Sequence, residues 1–296
     1  MKVSVVIPTK DRAEKLRSCL ASLRGQSAEI VVVDDGSAKQ ELVAEIVRDT
    51  GAELVRLEGR GPAAARNAGV AAASGEVVGF IDDDCEAQAG WAEALAGTLL
   101  HGEVECVAGK TVVAEDASAA DRAWQAIADY LQGVAAEPGS SSPGFAATCN
   151  LACSRQLLLE LPFDESFPTA AGEDRDWAAR AAARGSAPRF VPNAVVIHRP
   201  GLTARSFLRQ QYRYGKGASQ FRASDSSRGL GSSSFYLKLA RAGFASGFIP
   251  GTLVLTAQLA IAAGALAERG WGVLARLPAP TVRAAARRQG PPSRRR

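Results

Sequence analysis

Three short apolar runs, at residues 3–7, 30–33 and 77–81, constrain this chain more than any other feature. Each is apolar almost throughout rather than alternating. That pattern suits a strand buried on both faces of a parallel sheet. A fourth strand is expected at 52–57. Helical spacing separates the runs, at 13–23, 42–47 and 61–73, the last opening on Gly61-Pro62. Strands alternating with helices at this spacing predict an α/β fold with a doubly wound, mostly parallel sheet and flanking helices. In such sheets ligands bind beyond the carboxyl ends of the strands. Three of those ends are polar here: Pro8-Thr9, Asp34-Asp35 and Asp82-Asp83-Asp84. Their convergence on one crevice is the expectation that organises the rest.

Three consecutive carboxylates repel one another, so a positive partner is expected beside them. Mg²⁺ or Mn²⁺ suits oxygen ligands of this kind and is commonly completed by substrate phosphates. The bland alternative is a solvated acidic turn after a strand. Only two histidines occur, and none of the five cysteines forms a CxxC pair. A Cys/His zinc site is therefore not expected, and reduced cytosolic thiols are. Nothing in residues 1–8 reads as a signal peptide.

Further along, Trp91–Leu100 reads as a helix and Cys106–Val113 as a strand. Residues 133–147 are rich in Gly, Ser and Pro and read as a flexible loop. Helices are expected at 155–161, 177–184 and 204–220, and a strand at 189–197 that ends on His198. Glu173 and Asp174 precede the 177–184 helix, where carboxylates favour the helix dipole. A Ser/Gly linker follows at 224–234.

No charge occurs for 26 positions between Arg241 and Glu268. The segment 247–267 is long enough to span a bilayer, at about 20 residues. Gln258, Pro250 and its Ala/Gly content weaken that reading. A helix lying in the membrane plane and a helix buried in the protein are the alternatives. After Glu268 come eight arginines and no acid, although the whole chain carries only +4. The body is thus mildly acidic, which gives no indication of nucleic-acid binding. The basic stretch could meet an anionic membrane surface. The expected organisation is 1–203 as one domain, with halves 1–113 and 114–203. A helical segment and linker (204–240), a hydrophobic helix (241–268) and a basic, disordered tail (269–296) complete it.

Taken together, the motifs resemble glycosyltransferase family 2, the inverting group with the GT-A fold. The resemblance runs in order over residues 3–200. It rests on Val-Ser-Val-Val-Ile-Pro-Thr (3–9), Val-Val-Asp-Asp-Gly-Ser (32–37) and Ala-Arg-Asn-Ala-Gly (65–69). Ile-Asp-Asp-Asp (81–84), Gly-Glu-Asp-Arg-Asp-Trp (172–177) and His198 complete it. The resemblance implies a nucleotide-diphosphate sugar donor. Pro8, Thr9, Arg12, Asp34 and Asp35 would hold the nucleotide, with Asp34 shaping the turn. Arg66 and Asn67 would lie on the donor side. Asp82 or Asp83 would bind ribose, and Asp84, with His198, would ligate the metal. Asp174 would be the catalytic base and Glu173 its neighbour orienting the acceptor. Asn150 and Trp177 would face the acceptor. The loop 133–147 would act as a lid or acceptor wall.

The same resemblance implies a cytoplasmic enzyme of cell-envelope, glycolipid or polysaccharide synthesis. It would attach peripherally or monotopically to the inner face of the cell membrane. A glycan, a lipid-linked molecule or a small molecule would serve as acceptor. Processive members carry Gln-x-x-Arg-Trp and several membrane helices. Here Gln210-x-x-Arg213-Tyr214 departs in its last place, and one apolar stretch cannot form a channel. Non-processive transfer is therefore expected. One competing reading is a sugar-phosphate nucleotidyltransferase, but residues 8–12 lack the glycine-rich loop that it needs. Another is a non-catalytic nucleotide-sugar-binding protein, which would have no use for Glu173-Asp174.

Overall fold

The computed structural model describes residues 2–100, 104–133, 146–167, 171–223 and 232–275. Most of the loop expected at 133–147, most of the linker at 224–234 and residues 276–296 lie outside the described residues.

The first half matches the alternation expected from sequence. In order come β1 (Val3–Thr9), α1 (Ala13–Ser22), β2 (Ala28–Asp34), α2 (Gln40–Arg48), β3 (Glu53–Arg56), α3 (Pro62–Ala72) and β4 (Val77–Phe80). The strands β3-β2-β1-β4 are parallel neighbours. Strands β1 and β4 and the second half of β2 are buried on both faces, by α1 and α2 on one side and α3 on the other, while the edge strand β3 is partly exposed. Continuous apolar runs could be satisfied in no other way.

The second half is mixed. It comprises β5 (Cys85–Ala87), α4 (Trp91–Leu100), β6 (Cys106–Val113), α5 (Ala119–Gly133), β7 (Leu151–Ser154), α6 (Arg155–Glu160), α7 (Glu173–Ala183) and β8 (Arg189–His198). The sheet order is β3-β2-β1-β4-β7-β6-β8-β5. Strand β7 runs antiparallel to both β4 and β6, and β5 runs antiparallel to β8. Among the described residues, only β6 and β8 are parallel neighbours in this half. Sequence periodicity missed β5 and β7 because three and four residues carry too little pattern. It also missed α5, and it began α7 four residues late, at Trp177 instead of Glu173.

Strand β8 slips against β6, jumping from Gly109↔Val191 to Lys110↔Val195. The slip leaves ladder carbonyls without strand partners. Asn150 closes it: its Nδ2 donates to Lys110 O and Ala194 O, both at 3.0 Å, and its Oδ1 accepts from Trp91 Nε1 at 2.9 Å. The indole can only donate, which fixes the amide orientation. Gly109 is required at this spot, since a Cβ there would meet Ala194 O and Asn150 Oδ1 at 2.3 Å.

The chain closes with α8 (Ala204–Ala223), α9 (Ser233–Ala245) and α10 (Phe248–Ala275). Phe207, Leu239, Val254 and Ala257 from these helices share a core with Ala120 and Ala123 of α5. The division expected at 203 therefore does not fall between separate cores. Nor is 269–296 wholly without structure. Helix α10 continues to Ala275, with no proline between its first turn and that end.

Asn150→Ala should cost about 3 kcal/mol of stability, because it strands three buried polar groups. Urea unfolding of this variant beside the parent measures it. A loss within error of zero would show that the β6–β8 slip is satisfied some other way.

Candidate functional site

The polar strand ends do converge. Asp35 N donates to Thr9 O at 2.9 Å where β1 and β2 finish, and Ile81 N reaches Val6 O at the end of β4. The acidic triplet then turns directly into β5, whose pairing puts Cys85 opposite His198. Arg199 N donates to Asp84 O at 2.8 Å. This short antiparallel pair is what brings residue 198 to residue 84.

Protein cations already offset much of the triplet's repulsion. Arg12 Nη1 lies 3.0 Å from both Asp83 Oδ1 and Asp84 Oδ2. Lys15 Nζ is 3.5 Å from Asp84 Oδ2, and Arg66 Nη2 is 3.3 Å from Asp82 Oδ1. The protein itself thus supplies the positive partner expected from sequence, and repulsion alone does not call for a metal ion. Lys15 was missed there, although it sits one turn beyond Arg12 on α1, where side chains share a face. Thr9 Oγ1 donates to Asp83 Oδ2 at 2.8 Å. Burial lifts the Asp83 carboxyl to about 6, against the pull of Arg12. Burial would also lift Asp84. There the hydrogen bond and charge of His198, with Arg12 and Lys15, prevail and hold it well below the usual range.

The case for a cation rests instead on the donor set. Asp84, Cys85 and His198 are buried, with ligand atoms within 4.8 Å of one another. His198 Nε2 stands 3.4 Å from Asp84 Oδ1, and its Nδ1 is buried without a hydrogen-bond partner. The ring packs 4.2 Å from that of Trp124 on α5. A carboxylate and an imidazole suit Mn²⁺ or Mg²⁺. The Cys85 thiol, pushed well up by burial, stays protonated and is a poor ligand for either.

Arg66 joins the triplet to the second acidic pair. It is 4% exposed, with Nη1 2.9 Å from Glu173 Oε1 and Nη2 on Asp82. Its guanidinium also lies over the Phe163 ring, 5.8 Å from the centroid. The sequence reading had put Arg66 on the donor; the structure uses it as a strut. Glu173 and Asp174 open α7, where Gly172 caps the helix at φ +103°. Burial and the neighbouring Glu173 charge push the Asp174 carboxyl up to about 7, and Arg66 opposes the rise. Tyr214 on α8 faces the same carboxylates. Burial and Asp174 raise its hydroxyl, against a hydrogen bond with Trp124. Neither aromatic was singled out for the site from sequence, and Trp124 carries no local signal that could have shown it.

Three expected contact residues are corrected. Asn150, expected on the acceptor side, spends its amide on the strand slip and is 2% exposed. Trp177, also expected there, is wholly buried, donates to Leu161 O and stacks on Phe163. Asn67, expected on the donor, instead pairs with the Phe163 backbone through both its amide atoms and with Glu165. All three brace the ring beneath Arg66 or the sheet behind it.

Of the other nucleotide-end residues, Asp34 accepts from Ser37 N, closing its turn. Asp35 accepts from Arg60 N and Gly61 N at the start of α3. Pro8 pairs with Val33 inside the sheet, just before Thr9.

Comparison with known proteins agrees with this geometry. Residues 4–151 match the family described as Glycosyl transferase family 2, and residues 78–267 match Glycosyl transferase family group 2. A pre-mycofactocin glycosyltransferase of Mycobacterium tuberculosis is 32% identical over 225 residues, covering 73% of this chain and 46% of that protein. The chain thus spans about half the length of that relative. Glycosyltransferase AglE of Haloferax volcanii is 29% identical, covering 74% of this chain and 73% of its own. Among solved structures, glucosyl-3-phosphoglycerate synthase from Mycobacterium tuberculosis, in complex with Mn²⁺, UDP and glucosyl-3-phosphoglycerate, shares the fold. Its TM-score is 0.54 at 23% identity, over 77% of this chain and 83% of that one. With its strand-end crevice, its acidic triplet and these matches, the chain belongs to glycosyltransferase family 2.

Proposed function

We propose that this chain moves a sugar, with inversion, from a nucleotide-diphosphate donor to an acceptor hydroxyl. The observation that carries the reading is the Arg66 strut, which holds the triplet and the Glu173-Asp174 pair in one crevice. The nucleotide lies over the ends of β1 and β2, against Pro8, Thr9, Arg12, Asp34 and Asp35. Asp82 or Asp83 takes the ribose.

Asp84 and His198 would hold Mg²⁺ or Mn²⁺, which when bound neutralises the departing diphosphate. Glu173, pinned by Arg66, stays in place. Asp174 accepts the proton of the acceptor hydroxyl as its oxygen bonds to the anomeric carbon, while the carbon–phosphate-oxygen bond breaks on the opposite face. A carboxylate whose pKa is raised to about 7 is a stronger base than an ordinary one and still half ionised at neutral pH.

UDP-sugars are the first donors to test, because structures sharing the fold bind UDP and UDP-glucose. Transfer is non-processive, with a glycan, a lipid-linked molecule or a small molecule as acceptor. Envelope or glycolipid synthesis at the inner face of the membrane is the fitting context, with the enzyme held there peripherally.

Asp174→Asn should lower transfer by about 10³-fold, within the range for loss of a general base, and spare donor binding followed by thermal shift with UDP and Mn²⁺. Undiminished transfer would remove Asp174 from the mechanism. In the parent enzyme kcat/KM should rise with pH through about 7, since only the ionised Asp174 accepts a proton. A flat profile from pH 5.5 to 8.5, by roughly the same argument, contradicts that role.

Arg66→Met should cost about 3–5 kcal/mol by leaving buried carboxylates unpaired. Arg66→Lys keeps the charge but loses the fork, and should move the pH midpoint upward. A stable Met variant with an unmoved pH profile in the Lys variant would show that the strut is dispensable.

A further inference from the structure

Helix α10 has two unlike faces. One is locked to the catalytic domain by close backbone approach. A Cβ on Gly215 of α8 would lie 2.0 Å from Ile261 O, and one on Gly264 would lie 2.0 Å from Tyr212 O. A Cβ on Gly251 would lie 2.3 Å from the Phe244 ring of α9, and Lys216 pairs with Glu268 at 3.6 Å. The other face is apolar and uncovered. Phe248, Thr252, Leu255, Leu259, Ala262 and Leu266 are all exposed, at spacings of four and three that keep them on one side. Phe248 is 80% exposed, Leu259 72% and Leu266 67%. The α9–α10 turn extends the patch with exposed Phe244 and Ile249, and Leu237 adds to it from α9.

We propose that this face, from Leu237 to Leu266, seats the enzyme in the plane of an anionic lipid surface without crossing it. The proposal builds on the membrane attachment put forward above and specifies its surface and geometry. Crossing is disfavoured by the locked face. To be surrounded by lipid, α10 would have to break its glycine contacts or carry α8 with it. Helix α8 bears the exposed Arg205, Arg209 and Arg213, whose transfer to hydrocarbon is costly.

Charge selects the occupant. Exposed Lys238 and Arg241 border the patch, no acid occurs from 242 to 267, and eight arginines without an acid follow Glu268. A second copy of this chain would bring the same positive charge to the same face and be repelled. Anionic headgroups meet the cations while acyl chains cover the leucines.

Flotation of the full chain with vesicles of phosphatidylcholine, alone or mixed with phosphatidylglycerol, tests this. The protein should float with the anionic vesicles, lose binding as salt is raised, and be released by alkaline carbonate. Leu255→Glu, Leu259→Glu and Leu266→Glu together should weaken flotation about tenfold or more. The triple variant should keep the parent's thermal shift with UDP and Mn²⁺, a readout independent of lipid. Retention after carbonate overturns the in-plane geometry, and equal flotation with neutral vesicles overturns the choice of an anionic surface. Undiminished flotation of the triple variant overturns the assigned face. Failure to float with either vesicle overturns the proposal, as does a dimer in solution that the triple variant abolishes. If instead the parent itself gives no shift with UDP and Mn²⁺, the donor reading fails while the lipid result stands.

Discussion

A single buried guanidinium holds the two acidic clusters of this site together. Arg66 comes from the start of α3, Asp82 from the end of β4 and Glu173 from the first turn of α7. Three separate elements thus meet at one side chain. Burying an arginine is expensive unless its charge is met, and here two carboxylates meet it. The platform beneath is equally specific. Phe163 lies under the guanidinium, stacks on Trp177 at 5.4 Å and meets Phe80 edge-on at 5.6 Å. Asn67, next to Arg66 in the chain, fixes the backbone of Phe163. Two residues that a motif reading assigns to ligands therefore maintain the strut on which the ligand sites depend.

The same interaction divides the work between Glu173 and Asp174. Both carboxylates sit in one turn, and two neighbouring anions in a poorly solvated place do not ionise alike. Arg66 bonds Glu173 directly and acts on Asp174 only through space. Arg66 thus anchors Glu173, while burial first and then the Glu173 charge raise Asp174. Two adjacent residues of one chemical kind differ because only one of them bonds the guanidinium.

What sequence could show followed the length of the pattern. The runs at 3–7, 30–33 and 77–81 are long and uniform, so the parallel half of the sheet and its polar ends were legible. The triplet stood out at a strand end, while Glu173-Asp174 and His198 were grouped with it by the family resemblance. Asp84 and His198 were joined only through that resemblance, since their contact depends on the three-residue strand β5. Asn150 and Trp177 were misread for a related reason. Their places next to functional residues in the chain say nothing about which way a side chain points, and the β6–β8 slip that claims Asn150 is a tertiary event. The cations Arg12 and Lys15 lie far in sequence from the acids they meet, and no local rule links them.

Helix α8 ties the C-terminal helices to the candidate site. On one side, Gly215 lets it meet the backbone of α10 at Ile261. On the other, Gly217 lets it meet Ala171 O, where a Cβ would lie at 1.8 Å, two residues before Glu173. Tyr214, between these contacts, points its hydroxyl toward Asp174 and Trp124, and Trp124 packs on His198. A shift of α10 relative to the sheet therefore cannot be absorbed by α8 alone, because both of its glycine contacts are backbone against backbone with no side chain to yield. It must be passed to the loop that carries Gly172, or to the aromatic pair Trp124 and His198. The closeness of these contacts makes the C-terminal helices part of the active-site scaffold, whatever surface their outer face meets.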